Sequence, residues 1–320
     1  MIREMLFTWE GVVKPTIMKN RFIFMCLIIG SLILWHRALA FENYREIQHQ
    51  ERQLAHLNVS QIDLPIIINA VDAIGGDIQL NWKEIMAIVA IKQENILHSI
   101  SETTLTKVAE SFIDQNSILS FEEVLALHFN DEESIKRAHQ YLDELTFVGY
   151  VPEKLKPETM EAQFIAKLKD IAKKNFEETG ILPSIVIAQA ILESNWGQSE
   201  LAVIANNLFG IKADSYWDGT IATFNTFEYS GALQEAQFRK YEDWYNSIAD
   251  HTEFLLANPR YTEAGLFDAT TYRGQSQALQ DAGYSTAVDE YGNLVYARRL
   301  QELIRQYNLQ LLDHYVLSAN

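Results

Sequence analysis

The sequence predicts a mainly α-helical protein with one small β-hairpin, and three observations support this prediction. Apolar residues recur at helical spacing along most of the chain. Serine or asparagine followed three residues later by glutamate is typical of a capped helix start, and this pattern occurs at 81–84, 120–123 and 130–133. Residues 220–229 alternate in polarity and are followed, after a glycine-containing turn, by residues 234–241, which can pair back as the second strand of a hairpin.

The N-terminal residues have the features of an export signal. Residues 22–35 are apolar and follow Lys19 and Arg21. This run is short for a membrane-spanning helix and has the right length for a signal-peptide core. Residues 38–40 (Ala-Leu-Ala) match a small-residue cleavage site. We therefore expect residues 1–40 to be a cleaved signal peptide or an uncleaved membrane anchor, and the rest to act outside the cytoplasm, in the periplasm, in the cell wall or as a secreted protein.

Beyond this segment the sequence predicts two helical domains. Residues 41–150 contain the three capping signatures and form a helical domain of unknown role. Residues 151–160 include Pro152 and Pro157 and are predicted to be a linker. Residues 161–320 begin with an amphipathic helix and contain the predicted hairpin, so they are expected to form a second, α+β domain.

Composition and charge exclude some classes of function. The formal net charge is −17 at pH 7, which argues against a nucleic-acid-binding protein, because such a surface needs a basic footprint. Cys26 is the only cysteine, so no disulfide can form within the chain. No metal-ligand spacing surrounds His251, which is expected to be structural, and no cofactor is expected.

Residues 181–213 contain the most informative pattern, because one glutamate, Glu193, lies inside an otherwise apolar helix. Pro183 fits the first helical turn. Gln189 and Glu193 are four residues apart and therefore project from one face of the helix. A carboxyl group held among apolar and aromatic side chains is hard to ionise, so its pKa rises. This environment is typical of a general acid that works near neutral pH.

The same region resembles the glucosaminidase motif of glycoside hydrolase family 73, whose members include flagellar-rod peptidoglycan hydrolases, Bax-type proteins and autolysins. The matching segments are LPS (182–184), AQAILES (188–194), WG (196–197), SELA (199–202) and ANNLFGIK (205–212). The likeness continues through FRKYEDWYNSIADHTEFL (238–255) and NPRY (258–261), and more weakly around GYST (283–286) and YARRL (296–300). It covers roughly residues 161–312.

The resemblance implies a compact, lysozyme-like, mostly helical catalytic domain with a small β-hairpin. It implies Glu193 as the general acid and Glu228, on the hairpin, as a second carboxylate. Glu235 and Asp218 are alternatives for the second carboxylate. Tyr284 matches the tyrosine of the family's GYAT-type motif and is the third catalytic candidate.

Other side chains near the motif are candidates for binding sugar. They are Gln189, Trp196, Asn206, Asn207, Phe209, Tyr216 and Trp217. The aromatic side chains could stack on sugar rings or could belong to the core. The two asparagines could hydrogen-bond acetamido groups or could brace the loop that contains them.

The resulting expectation is an exported peptidoglycan hydrolase, acting as a monomer on glycan strands. It would cleave the β-1,4 bond after N-acetylglucosamine, by a retaining, an inverting or an acetamido-assisted mechanism. Two alternatives stay open: a lytic transglycosylase acting on the same substrate, and a non-catalytic wall-binding or assembly protein.

Overall fold

Helices dominate the structure, a computed structural model that describes residues 15–54, 56–115, 117–227 and 233–318. The chain divides into two compact units, with the boundary between residue 55 and His56. Two small antiparallel sheets of two strands each accompany the helices. The predicted fold class, mainly α with a small β-hairpin, is confirmed.

The first unit contains helix α1 (Pro15–Leu54), which is 40 residues long. This helix contains the predicted apolar run (residues 22–35) and continues through the more polar residues 41–54. The predicted cleavage site at residues 38–40 lies inside the helix. The apolar side chains of Leu34 and Trp35 are exposed on this helix. In the part of the chain that the structure describes, no helix has an apolar stretch long enough to cross a membrane. Export and anchoring stay predictions.

The second unit begins with five helices and a short two-stranded sheet. These are α2 (Leu64–Gly75), α3 (Trp82–Lys92), α4 (Glu102–Glu110), β1 (Ile113–Asp114), β2 (Ser117–Ile118), α5 (Phe121–His128) and α6 (Glu132–Glu144). Helix α3 is buried from Trp82 to Ala90 and forms the centre of an apolar core. The sequence did not predict the short β1–β2 sheet.

The three predicted helix starts give different results. Ser120 and Glu123 form a complete capping box at the start of α5. Asn81 caps α3 through its side-chain oxygen, and the Glu84 carboxylate accepts from the Asn81 amide at 2.7 Å. The third prediction is wrong by one residue, because Asp131 rather than Asn130 caps α6. Aspartate accepts hydrogen bonds at a helix start as well as asparagine does, so adjacent Asn and Asp compete for this position.

The remaining helices surround the predicted hairpin. They are α7 (Met160–Thr179), α8 (Pro183–Ser194), α9 (Glu200–Ala205), β3 (Ile221–Phe227), β4 (Leu233–Arg239), α10 (Trp244–Ala257), α11 (Pro259–Glu263), α12 (Tyr272–Asp281), α13 (Tyr296–Gln306) and α14 (Gln310–Ser318). Strands β3 and β4 pair antiparallel with Phe224 opposite Ala236, so the hairpin is confirmed. Helix α13 ends at Gln306, and Asn308 adopts a left-handed φ of 55° before α14 begins.

Helix α8 lies at the centre of the second apolar core. Every residue from Ile181 to Ile191 is buried. Helices α7, α12, α13 and α14 contact it. A helix enclosed in this way is apolar around its whole circumference, which explains why isoleucine and alanine occupy most positions of α8.

Polar contacts connect the two cores. The Tyr272 hydroxyl donates to the buried Asp72 carboxyl, and Arg273 donates to the Asp72 backbone carbonyl. The Asn308 amide donates to the backbone carbonyl of Val148 at 3.0 Å. Both cores belong to one compact unit, and the domain division predicted at 151–160 stays a prediction.

The start of α8 is fixed by a buried carboxyl from α14. Leu182, at the N-cap position, has no side-chain acceptor to offer, so the first N–H groups of α8 need another partner. Ser184 donates its backbone N–H at 2.9 Å and its hydroxyl at 2.5 Å to the Asp313 carboxyl. Asp313 is fully enclosed, and this burial raises the pKa of its carboxyl to about 7.

We predict that Asp313 makes stability depend on pH. Its pKa is higher in the folded protein than its ordinary value of 3.8, so the folded state holds this proton over a pH range where the unfolded state has lost it. Its contribution to stability is therefore present at low pH and is lost as the pH rises from about 4 to about 7. Asp313→Asn should remove this pH-dependent contribution to the free energy of unfolding, which is on the order of a few kcal/mol.

Urea unfolding from pH 4 to pH 8 checks this prediction. The free energy of unfolding of Asp313→Asn should rise relative to that of the wild type as the pH increases. Asp143→Asn, at an exposed position of α6, is the matched control and should follow the wild type. A constant difference between Asp313→Asn and the wild type would contradict the assignment.

Candidate active site

Glu193 lies in the last turn of α8, where the buried helix reaches the surface. Three consecutive residues after this turn adopt left-handed backbone angles: Asn195, Trp196 and Gly197, with φ values of 48°, 61° and 71°. Such angles are uncommon for asparagine and tryptophan, and they turn the chain sharply away from the helix. Only glycine fits at position 197, because a Cβ atom there would lie 2.8 Å from the Phe164 ring.

A short hydrogen-bond chain holds the Glu193 carboxyl. The Tyr296 hydroxyl donates to Glu193 Oε1 at 3.0 Å. Gln189 in turn donates its side-chain N–H to the Tyr296 oxygen at 3.0 Å. Glu193 remains accessible to solvent. The surrounding protein nevertheless removes much of the hydration of its carboxyl, and this desolvation raises the pKa of Glu193. The Tyr296 hydrogen bond lowers that pKa, but by a smaller amount. Glu193 therefore keeps its proton to higher pH than an ordinary glutamate does.

Glu193 opens into a cleft of about 500 Å³. The other residues that line this cleft are Phe209, Gly210, Ile211, Lys212, Asp214, Arg239, His251, Phe254, Arg260, Tyr261, Tyr284 and Ser285. The Tyr284 ring stacks on Tyr296, with centroids 5.1 Å apart and an interplanar angle of 25°. The Tyr284 hydroxyl lies 3.0 Å from His251 Nε2. The structure thus brings two of the predicted catalytic residues, Glu193 and Tyr284, to one cleft.

The base of the hairpin is attached to α10 by ionic and hydrogen-bonding contacts. Arg239, the last residue of β4, donates to Asp250 at 2.7 Å and to Asp214 at 3.2 Å. The Tyr241 hydroxyl donates to the other oxygen of Asp250 at 2.5 Å. The Arg239 guanidinium also lies 4.6 Å from the centre of the Trp217 ring. These contacts fix the hairpin side of the cleft relative to α10.

Three residues predicted to bind sugar use their amide groups inside the protein. Gln189 is fully buried, and its amide N–H is bound to Tyr296. The Asn206 amide donates to the backbone carbonyls of Tyr241 and Glu242. The Asn207 amide donates to those of Ile211 and Arg239 at 3.0 and 2.8 Å. In this structure the two asparagines brace the loop after α9.

The predicted aromatic residues are divided between the core, the cleft and the surface. Phe209 is buried and lines the cleft. Trp196 packs edge-on against Tyr307, with centroids 4.7 Å apart, at the edge of the second core. Tyr216 is 93% exposed and Trp217 is half-buried beneath Arg239. Contact of these residues with glycan stays a prediction.

The predicted second carboxylate, Glu228, lies outside the described residues. Its two alternatives, Glu235 and Asp218, are exposed. Neither is among the described residues that line the cleft. Asp214 does line it, but its carboxylate is paired with Arg239.

Sequence reasoning missed Tyr296 as a partner of Glu193 and His251 as a partner of Tyr284. A signal for Tyr296 exists: Tyr296, Leu300 and Ile304 recur at helical spacing on the buried face of α13. A tyrosine on a buried face needs a partner for its hydroxyl, but the sequence cannot say which one. Within the described ranges, no group of three or more His, Cys, Asp or Glu side chains could hold a metal ion.

A carboxyl of raised pKa, at the exposed end of a buried helix and open to an aromatic cleft, is typical of an enzyme that uses a general acid. Comparison with known proteins identifies the family. Residues 169–309 match the glucosaminidase family, which is described as mannosyl-glycoprotein endo-beta-N-acetylglucosaminidase. Residues 169–309 therefore form a domain of this family, as the resemblance of the motif predicted.

Individual relatives match the same part of the chain. It is 36% identical over 156 residues to the exo-glucosaminidase LytG of Bacillus subtilis strain 168, covering 47% of this chain and 52% of LytG. It is 35% identical over 150 residues to the peptidoglycan hydrolase FlgJ of Escherichia coli K12, covering 45% of each. The catalytic domain of the autolysin Auto from Listeria monocytogenes is 34% identical, with 48% of this chain and 88% of that domain covered and a TM-score of 0.42. The chain spans about half the length of the curated relatives it matches.

We predict that Tyr296→Phe raises the pKa of Glu193 further. The Tyr296 hydroxyl stabilises the ionised carboxylate, so its loss favours the protonated form. A ¹³C NMR titration of the Glu193 side-chain carboxyl, identified by comparison with Glu193→Gln, measures this pKa directly.

The control is Tyr291→Phe, because Tyr291 is 82% exposed and lies outside the cleft-lining set. That variant should leave the Glu193 titration unchanged. An unchanged or lower pKa of Glu193 in Tyr296→Phe would show that the hydrogen bond does not govern its ionisation.

Proposed function

We propose that this protein is an exported peptidoglycan hydrolase that cleaves the β-1,4 bond after N-acetylglucosamine in cell-wall glycan. Membership of the glucosaminidase family and the named activities of LytG and FlgJ support the substrate class. The apolar N-terminal run supports export. The observation that carries the proposal is Glu193, a carboxyl with raised pKa at the edge of a cleft.

In the proposed reaction Glu193 donates its proton to the glycosidic oxygen of the leaving sugar. Tyr296 donates to Oε1, so Oε2 is the oxygen that carries the proton. The raised pKa keeps a substantial fraction of the carboxyl protonated at higher pH than usual, while solvent access allows the substrate to reach it. Protonation allows the glycosidic bond to break with positive charge developing on the sugar ring.

Three routes remain open for the opposite face of the sugar. Glu228 could activate water if the two carboxyl groups lie about 6.5–9.5 Å apart, or attack directly at about 5–5.5 Å. In the third route the acetamido group of the substrate attacks its own ring, and a polar side chain orients that group. Tyr284 lines the same cleft as Glu193 and is a suitable orienting residue for this route.

The charge around the cleft is compatible with an anionic glycan although the chain as a whole is acidic. Lys212, Arg239 and Arg260 line the cleft together with Glu193. Asp214 also lines the cleft, and Arg239 is paired with Asp214 and Asp250. Lys212 and Arg260 are the other cations of this set, and they can attract the carboxylates of the peptidoglycan stem peptides. This local arrangement supports binding despite a formal net charge of −17.

Two alternatives lead to different products. A lytic transglycosylase also uses one glutamate as acid, but it forms an anhydro-sugar and consumes no water. A non-catalytic wall-binding protein has no need of a carboxyl with raised pKa in its cleft. The Glu193 environment therefore favours an enzyme over a binding protein.

We predict that Glu193→Gln abolishes glycan cleavage while the fold persists. An amide cannot donate the required proton, so turnover should fall by at least about a hundredfold. Mass spectrometry of products released from purified peptidoglycan measures activity and chemistry together. The wild type should release fragments with N-acetylglucosamine at the reducing end and one added water.

Glu200→Gln, at an exposed position in the first turn of α9, is the matched control and should retain activity. Anhydro products from the wild type would identify a transglycosylase. Turnover of Glu193→Gln within tenfold of the wild type would contradict the assignment of the acid.

A second prediction concerns the hairpin carboxylate. Glu228→Gln should lower kcat strongly with little change in KM or melting temperature, because the lost interaction forms only in the transition state. Kinetics on a soluble glycan fragment, with Glu235→Gln and Asp218→Asn in parallel, tests the three positions.

If Glu228 instead faces solvent, Glu228→Gln should change the free energy of unfolding by less than about 0.5 kcal/mol and leave the rate unaffected. If none of the three variants loses activity, the acetamido-assisted route becomes the better account.

A further inference from the structure

His251 projects from α10 into the wall of the cleft. Its side chain is 1% exposed. The imidazole stacks on Phe209, with centroids 3.8 Å apart and planes inclined by 10°. Its Nε2 atom lies 3.0 Å from the Tyr284 hydroxyl. The stacking and the hydrogen bond together fix the ring at the position where it meets Tyr284.

The surroundings of the imidazole determine which nitrogen carries the proton. Burial lowers the pKa of His251 to about 3, so the ring is neutral at physiological pH and has a single N–H. Nδ1 is buried and has no hydrogen-bond partner among the residues that the structure describes. A buried N–H without an acceptor is rarer and costlier than an unused acceptor. The proton therefore belongs on Nε2, facing Tyr284.

This tautomer decides what the Tyr284 hydroxyl can do. Its oxygen accepts the Nε2–H of His251, so its own proton has to be donated to another group. Burial and the negative charge of Glu193 raise the pKa of Tyr284 well above its ordinary value, so the hydroxyl keeps that proton. The neighbouring hydroxyl of Tyr296 already gives its proton to Glu193. The Tyr296 oxygen, which also accepts from Gln189, lies beside Tyr284 and can accept this proton in the free protein. Tyr284 lines the cleft, so an oxygen of a bound glycan can replace Tyr296 as the acceptor.

We propose that His251 is a positioning residue: it donates to the Tyr284 oxygen and so makes Tyr284 a hydrogen-bond donor to the bound glycan. The acceptor has the chemistry of a carbonyl or hydroxyl oxygen, such as that of an acetamido group. His251 touches no reacting atom and acts only through Tyr284. This inference rests on the proposed function, since it concerns the glycan bound beside Glu193.

The tautomer is tested without any activity measurement. In ¹⁵N NMR spectra of the full chain labelled in its histidine rings, His251 is one of 8 histidines and is identified by the signals lost in His251→Phe. We expect a neutral ring protonated on Nε2 over the pH range from about 5 to 8. A proton on Nδ1, or a positively charged ring in that range, would overturn the inference.

Kinetics test whether His251 acts through Tyr284. His251→Phe keeps an aromatic ring on Phe209 and removes the donor, so kcat should fall by at least about tenfold as Tyr284 loses its orientation. His251→Gln offers an amide N–H and should recover part of that loss. Adding His251→Phe to Tyr284→Phe should cause no further loss, because both changes remove the same interaction.

Thr252→Val is the matched control for a buried change in α10. It removes a hydrogen bond of 2.8 Å to Asn175 and should lower the melting temperature with kcat unchanged. The positioning role is excluded if the losses from His251→Phe and Tyr284→Phe multiply, if Tyr284→Phe retains full activity, or if His251→Phe does. An inactive wild type, or an active Glu193→Gln, would instead refute the proposed function. The His251 tautomer would still be tested by the ¹⁵N NMR spectra, which do not depend on activity.

Discussion

The burial of helix α8 on all sides is the constraint on which the site depends. Helices α7, α12, α13 and α14 enclose it, and only its C-terminal turn reaches solvent. A helix held in this way cannot shift or rotate without opening the core, so the position of Glu193 is set by close packing. At the opposite end Asp313 accepts from Ser184 and so satisfies the first turn of the helix.

Helix α10 connects the two sides of the cleft through consecutive residues. Asp250 accepts from Arg239 and Tyr241 at the base of the hairpin. His251 lies within hydrogen-bonding distance of Tyr284. One helix thus fixes both the base of the hairpin and Tyr284. A rigid support of this kind keeps polar groups in place before a substrate arrives.

The sequence predicted the features that local physics determines. Asn81 and Ser120 begin helices because their side chains accept backbone N–H groups within the same turn. The alternating polarity near residues 220–229 predicted the first strand of the hairpin, and the structure pairs residues 221–227 with residues 233–239. Glu193 was conspicuous because a charged residue in an apolar helix is rare without a function or a partner.

Features that depend on distant residues could not be predicted in the same way. Tyr296 is 103 positions away from Glu193, and His251 is 33 positions away from Tyr284. Asn207 sits in the matched motif, but only the fold shows that the backbone carbonyls of Ile211 and Arg239 accept from its amide. Sequence spacing carries no information on such long-range pairs, so their roles emerge only when the helices are packed.

A crystal structure of Glu193→Gln with a bound peptidoglycan fragment tests whether the side chain at position 193 reaches the bond that is cleaved. If Glu193 is the general acid, the glycosidic oxygen should lie about 2.6–3.2 Å from the amide at position 193. A glycan that binds with its glycosidic oxygens beyond reach of this side chain would contradict the assignment of Glu193 as the acid.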